Sequence, residues 1–200
     1  MIRRIFLGLA FTTCVSFGFS QKMKVKVYML NEKSSPSSDT IFYDFNRPLT
    51  WNDFNGKPDP NHSGEAVTSS GFAFDSEMNL EDETFELIIG VYSFFTKSDS
   101  WKKTKVNSDY HLLHEQLHFD ITRIGAEKLL QELQEAPINK NNYQTLLNQI
   151  FEKVYAENSR LQNQYDMETK HSIDVNKQKE WDNKIALELK KIKQNTTVLK

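Results

Sequence analysis

The sequence predicts an α+β domain, with a β-rich N-terminal part followed by a helical part. Three observations carry that reading. Lys24 to Leu30 (KVKVYML) alternates polar and apolar residues, the period of a half-buried strand. Phe85 to Phe95 (FELIIGVYSFF) is strongly apolar, the mark of a central strand. From Leu112 to Leu133 apolar residues recur at near-helical spacing. Strands come first and helices after, which argues α+β rather than alternating α/β.

The elements follow in order. Residues 1–20 (MIRRIFLGLAFTTCVSFGFS) open with Arg3 and Arg4, continue apolar or small to Phe19, and place Gly18 and Ser20 before Gln21. That is the pattern of a secretory signal peptide. Its apolar run of about 15 residues falls short of the ~20 that a spanning helix needs, so no membrane insertion is expected after cleavage. Acylation at Cys14 is a minor alternative, because Phe11-Thr12-Thr13 is a poor lipobox. The expected mature domain is 21–200, exported to the periplasm or beyond. After strand 24–30 comes a polar loop, 31–39, and then a Pro/Gly/Asn/Ser-rich loop, 46–70, with Trp51 and Phe54 as aromatic anchors. Gly71–Asp75 and Phe85–Phe95 are strands. Asn107, Ser108 and Asp109 offer caps for a helix reaching Gln134, ended by Pro137. A second helix is expected over Tyr143–Gln164, a break over Met167–Ser172, a third helix over Asp174–Lys193, and a frayed tail at about 194–200.

Composition narrows the chemistry. With 25 Lys+Arg against 27 Asp+Glu, the chain has a formal charge of −2 and no basic footprint for nucleic acid. Losing residues 1–20 removes two arginines and no acid, leaving 23 basic and 27 acidic residues, a net charge of −4. The single cysteine would leave with the signal peptide, which excludes an internal disulfide and a multi-cysteine zinc site. Metal chemistry must then use histidines and carboxylates.

His114-Glu115-Gln116-Leu117-His118 is an H-E-x-x-H sequence within the first predicted helix. Residues i and i+4 share one helical face, so both imidazoles can reach one zinc ion. Glu115, beside the first ligand, can take a proton from a water that the metal acidifies and pass it to a leaving amine. A catalytic zinc site needs a third protein ligand. His111 is seven residues from His118, roughly 10 Å along the helix, too far to join both. His62 lies in the Pro/Ser/Gly loop and reads as an exposed or locally bonded loop residue. The choice falls on His171, with Glu168 as runner-up; Asp166 suits hydrogen bonding to a ligating histidine, and Tyr165 either a hydrogen bond to a developing oxyanion or a packing role. Asp120 and Arg123, three apart, are expected to pair on the helix surface.

Three stretches resemble a known family. They are Leu49-Thr50-Trp51-Asn52-Asp53-Phe54-Asn55-Gly56 with Ser63, Ala66, Thr68 and Gly71; Leu113 to Ile121; and Tyr165-Asp166-Met167-Glu168-Thr169-Lys170-His171 with Gln178 and Trp181. Together they resemble the predicted secreted bacterial zinc-dependent proteases catalogued as a domain of unknown function. The resemblance implies a zincin-like metallopeptidase acting on a peptide or protein. Members usually have glycine after the histidine of the third stretch, where this chain has Ser172. The expectation is an exported zinc-dependent endopeptidase, with His114, His118 and His171 on the metal, Glu115 as general base and acid, and Tyr165 assisting. Its substrate could lie along an exposed strand edge, the strand 85–95 being the one near in sequence. The alternatives are a non-catalytic zinc-containing binding or scaffold protein of the cell envelope, and a zinc hydrolase of non-peptide amides.

Overall fold

The computed structural model describes residues 23–30, 38–81 and 84–198; the predicted signal peptide and most of the loop after the first strand lie outside these. The chain is α+β. Strands β1 (Met23–Met29), β2 (Thr40–Phe42), β3 (Ala66–Val67), β4 (Ser70–Glu81), β5 (Thr84–Thr96) and β6 (Trp101–Lys102) precede helices α1 (Asp109–Glu135), α2 (Tyr143–Thr169) and α3 (Val175–Val198).

β5 organises the main sheet. Along one side it pairs in parallel with β1, Met23 opposite Phe85, and further on antiparallel with β2, Ile41 opposite Phe95. Its other side pairs antiparallel with all of β4. The 85–95 strand is therefore interior, as its apolar run predicts, and cannot offer the substrate edge considered for it. The free edge on the other side is β4, whose only partner among the described residues is β5. β4 is also longer than expected, continuing through the polar stretch Ser76–Glu81, because β5 supplies a cross-strand partner at every position to Glu81.

α1 lies between the sheet and the other two helices, which explains why it is apolar on more than one face. Its residues Ala126, Leu129, Leu130 and Leu133 close a core with Phe72, Leu87, Ile89 and Val91 of the sheet and Leu147, Ile150 and Val154 of α2. Phe119 meets Ile41, Leu49, Phe54 and Phe95 on another side. Leu117 and Ile121 meet Tyr165, Trp181 and Ile185 on a third. Trp51 and Phe54 are anchors as expected: their rings pack 5.0 Å apart, and Phe54 rests 5.3 Å from Phe95.

The helix boundaries bear directly on the site. Ser108 caps α1, its hydroxyl accepting from the His111 N–H. α2 runs five residues past its expected end, so Tyr165 and Asp166 sit on helix and the break shifts to 170–174. α3 likewise continues to Val198, where a frayed tail was expected, since neither proline nor glycine interrupts it.

Two polar devices fix how these layers meet. Gly125 of α1 has no room for a side chain: a Cβ there would lie 2.6 Å from Asn158 Nδ2 and 2.7 Å from Phe72. The close approach lets Asn158 donate to the Ile121 carbonyl at 2.9 Å. In the 46–55 loop, the buried Asp53 carboxylate accepts from the Thr50 N–H at 2.8 Å and from Arg47 at 2.7 Å. Burial alone would raise its pKa, but these bonds outweigh it and hold the carboxyl below its usual range.

Gly125→Ala is expected to destabilise the fold by about 1–3 kcal/mol through overpacking, read from urea midpoints. Asp53→Asn should lose about 1–3 kcal/mol at neutral pH. Because the folded pKa is lowered, that difference is fully present above the unfolded value of 3.8 and shrinks as the pH falls below it. Urea titrations across pH 3 to 7 check the sign.

Candidate metal centre

His114 and His118 project from one face of α1 towards the C-terminal turns of α2, where Asp166 faces them. Asp166 Oδ1 lies 3.2 Å from His114 Nε2 and 3.1 Å from His118 Nε2. Donor atoms of His114, His118 and Asp166 all fall within 4.8 Å of one another, a grouping that could hold a metal ion.

The outer nitrogens define what the inner ones can do. His118 Nδ1 is 2.6 Å from Gln162 Oε1. Gln162 Nε2 donates to the His118 carbonyl at 2.9 Å, so the amide oxygen must face the ring and Nδ1 must carry the proton. The same reasoning holds for His114. Its Nδ1 is 2.9 Å from Gln178 Oε1, while Gln178 Nε2 donates to the Asp182 carboxylate at 2.7 Å. With both Nδ1 protons committed, the two Nε2 lone pairs and a carboxylate oxygen point at one another. Three acceptors at that range require a cation or extra protons among them. Two nitrogens and one oxygen form a donor set that suits zinc.

The acid–base balance reflects the same crowding. Burial would raise the Asp166 pKa, but bonding to His114 and His118 outweighs it and holds the carboxyl well below the usual range. Burial would lower His118, yet Asp166 and the nearby Glu115 charge leave its pKa raised. A proton and a metal exclude each other on His118 Nε2, so metal affinity must fall as the pH drops through that raised value.

Tyr165 is fully buried beneath the histidines. Its ring stacks on His114 at 4.6 Å and meets His118 edge-on at 4.9 Å, and its hydroxyl donates to the His114 carbonyl at 3.2 Å. Burial raises its pKa. Between the two roles the sequence leaves open, oxyanion donor and packing residue, its full burial and ring contacts favour packing: it floors both imidazoles. Glu168 is turned away, accepting from Trp181 Nε1 at 2.9 Å and from Gln164 at 2.7 Å, so it takes no place in the cluster.

Asp166, expected beside the ligands, falls within the grouping that could hold a metal, and the expected ligand His171 lies just outside it, exposed, with Nδ1 3.3 Å from Asp166 Oδ1. A strained turn brings it there. Lys170, His171 and Ser172 have φ of 51°, 52° and 69°, three consecutive non-glycine residues in the left-handed region. The turn is pinned by the His171 N–H on the Asp166 carbonyl (3.0 Å), the Asp174 N–H on the Thr169 carbonyl (2.8 Å) and the Tyr110 hydroxyl on the Ser172 carbonyl (2.7 Å). Ser172 occupies a conformation that glycine adopts at no steric cost.

Glu115 is buried and held by Thr68, whose hydroxyl lies 2.8 Å from Oε2 and 3.1 Å from the Glu115 carbonyl. Thr68, Gln162 and Gln178 were not given roles from sequence. Only Thr68 and Gln178 carried any signal there, as members of the resembling stretches. Asp120 and Arg123 do not pair: Asp120 accepts from Gln116 (2.8 Å) and Tyr43 (2.9 Å), while Arg123 bonds to Glu127 (3.0 Å), all on a buried part of the helix. Gln116 also accepts the Leu49 N–H at 2.7 Å, tying the 40–54 segment to the motif helix.

The cluster opens into a cleft of about 410 Å³ between α1, α2 and the 62–72 segment. Glu115, Thr68, Asp166 and all five histidines of the chain line it.

Residues 97–172 match the family model described as a bacterial protein of unknown function, DUF922. The DUF922 match runs from the end of β5 to Ser172 and so includes His114, Glu115, His118, Gln162, Asp166 and His171. Thr68 and Gln178 lie outside it. No curated protein and no solved structure matches the chain.

If the two amides fix the tautomers, Gln162→Leu and Gln178→Leu should each weaken zinc binding about 10- to 100-fold, measured by competition with a chromophoric chelator. The same assay, repeated in wild-type protein from pH 8 to 5, should show affinity falling as the pH falls.

Proposed function

We propose that the protein is an exported zinc-dependent metallohydrolase, an endopeptidase of zincin-like type, with His114, His118 and Asp166 as the metal ligands. One observation carries the reading. The Nε2 atoms of His114 and His118 have their protons fixed on the opposite ring nitrogens and converge with Asp166 Oδ1, an arrangement that a cation satisfies. Zinc held there would supply a Lewis acid and bring the pKa of a bound water to about 7.

The remaining chemistry belongs to the chain's own residues. Glu115 follows His114 directly, and its carboxylate lines the cleft. Thr68 donates to one of its oxygens and leaves the other to accept a proton from the attacking water. The same carboxyl can then return that proton to the leaving amine. Three ligands rather than four leave a coordination position for chemistry, which favours catalysis over a closed structural site.

The β4 edge supports a peptide substrate. Thr96 N–H donates to the Ser69 carbonyl at 2.9 Å, which marks 69 and 96 as a hydrogen-bonded pair. By the antiparallel alternation, the N–H and C=O groups of Ser70 and Phe72 point outward. Both residues line the cleft, so an extended segment can pair with that edge beside Glu115. Export rests on the signal-peptide pattern of residues 1–20. Among the described residues no helix is long and apolar enough to cross a membrane.

Glu115→Gln is expected to retain one zinc per chain and to lose proteolysis of casein by about 10²- to 10⁴-fold. Asp166→Ala should lose the zinc itself. Full activity in the Glu115 variant contradicts the proposed role, and full zinc content in the Asp166 variant contradicts the ligand set.

A further inference from the structure

His62, an exposed residue of the loop before β3, lines the cleft with one ring nitrogen committed to its own loop. Its Nδ1 lies 3.0 Å from the Gly64 N–H. A backbone N–H can only donate, so Nδ1 accepts and the ring proton resides on Nε2. Among the described residues no hydrogen-bond partner meets that Nε2–H. The ring is also held in place. It packs edge-on against Trp101, with centroids 5.3 Å apart. It closes over Gly64, where a Cβ would come within 3.1 Å of Nδ1. The loop backbone is fastened in turn: Lys103 Nζ donates to the His62 carbonyl at 3.1 Å, and the Lys103 N–H to the Glu65 carbonyl at 2.9 Å. Trp101 stands on the small β3–β6 sheet, opposite Val67, and Lys103 follows that strand directly.

His62 is exposed, so its Nε2–H is open to solvent and to whatever occupies the cleft, while the Gly64 bond fixes its tautomer and Trp101 supports its ring. His62 lines the same cleft as His114, Glu115, His118 and Asp166. We propose that His62 is a substrate-binding residue, donating its Nε2–H to a carbonyl oxygen of a peptide held in the cleft. The inference rests on the peptidase reading above and adds to it a recognition contact on the cleft's loop side, away from the metal ligands.

The test uses the zinc-loaded full mature chain and two probes, acetohydroxamate, which needs only the metal, and a phosphonamidate tripeptide, which adds peptide carbonyls. His62→Phe keeps an aromatic ring beside Trp101 and removes the donor; His62→Gln restores an amide donor at the position of Nε2. By calorimetry, His62→Phe should bind the phosphonamidate about 3- to 10-fold more weakly than wild type. His62→Gln should recover most of that loss, and acetohydroxamate affinity and zinc content should stay unchanged in both. Equal phosphonamidate affinity in His62→Phe overturns the proposal while leaving the peptidase reading intact. So does a matching loss of acetohydroxamate binding, which would show that His62 acts through the metal site. Wild-type protein that takes up no zinc, or that binds zinc but not the phosphonamidate, overturns the peptidase reading and this contact with it.

Discussion

The rest of the structure depends on the convergence of three acceptor atoms at the face of one helix. His114 Nε2, His118 Nε2 and Asp166 Oδ1 meet at 3.1–3.2 Å, with both ring protons held on the far side by Gln178 and Gln162. Left to themselves such groups repel. They stay together because Tyr165 floors both rings and because each glutamine is itself locked, one by a backbone carbonyl and the other by Asp182. Neutral amides here, rather than carboxylates, set the tautomer without adding charge to a site that already carries Asp166 and Glu115.

The fold makes this convergence possible by wrapping α1 on three sides. The sheet, the aromatic cluster around Phe119 and the helices α2 and α3 each bury a different stripe of it. Only the stripe carrying the two histidines and Glu115 is left for the cleft. Gly125 sets the spacing between α1 and α2 about two turns beyond His118, close enough for the amides of Asn158 and Gln162 to reach α1 carbonyls. The Gln116–Asp120–Tyr43 network ties the motif helix to the 40–54 segment, so even the variable position after Glu115 in the motif has a structural task.

Much of this was legible in the sequence, and the failures have physical causes. Period and capping located three helices and the central strand, and the i, i+4 histidines located the ligand face. The third member of the cluster was harder to place, because it hinged on where α2 ends. Met167 to Ser172 reads as a break, yet the helix holds to Thr169 and the chain then turns through three left-handed residues, none of them glycine. That turn puts Asp166 on the helix facing the pair and lifts His171 to its side. Nor does local pattern show the partners of Gln162 and Gln178, which lie 44 and 64 residues from the rings they orient. Asp120 and Arg123 failed as a pair for a related reason: the face that looked solvent-exposed is covered by Tyr43 and Phe45. His62 is the exposed, locally bonded loop residue that its setting predicts; its ring contact with Trp101 lies beyond the reach of local pattern.

The most direct measurement is anomalous diffraction at the zinc absorption edge from crystals of the zinc-loaded mature protein. The expected result is one zinc ion bonded to His114 Nε2, His118 Nε2 and an Asp166 oxygen, at about 2.0–2.2 Å, with His171 against the carboxylate rather than on the metal. A zinc ion held by His171 with Asp166 turned aside, or no anomalous peak at this cluster, would contradict the assignment.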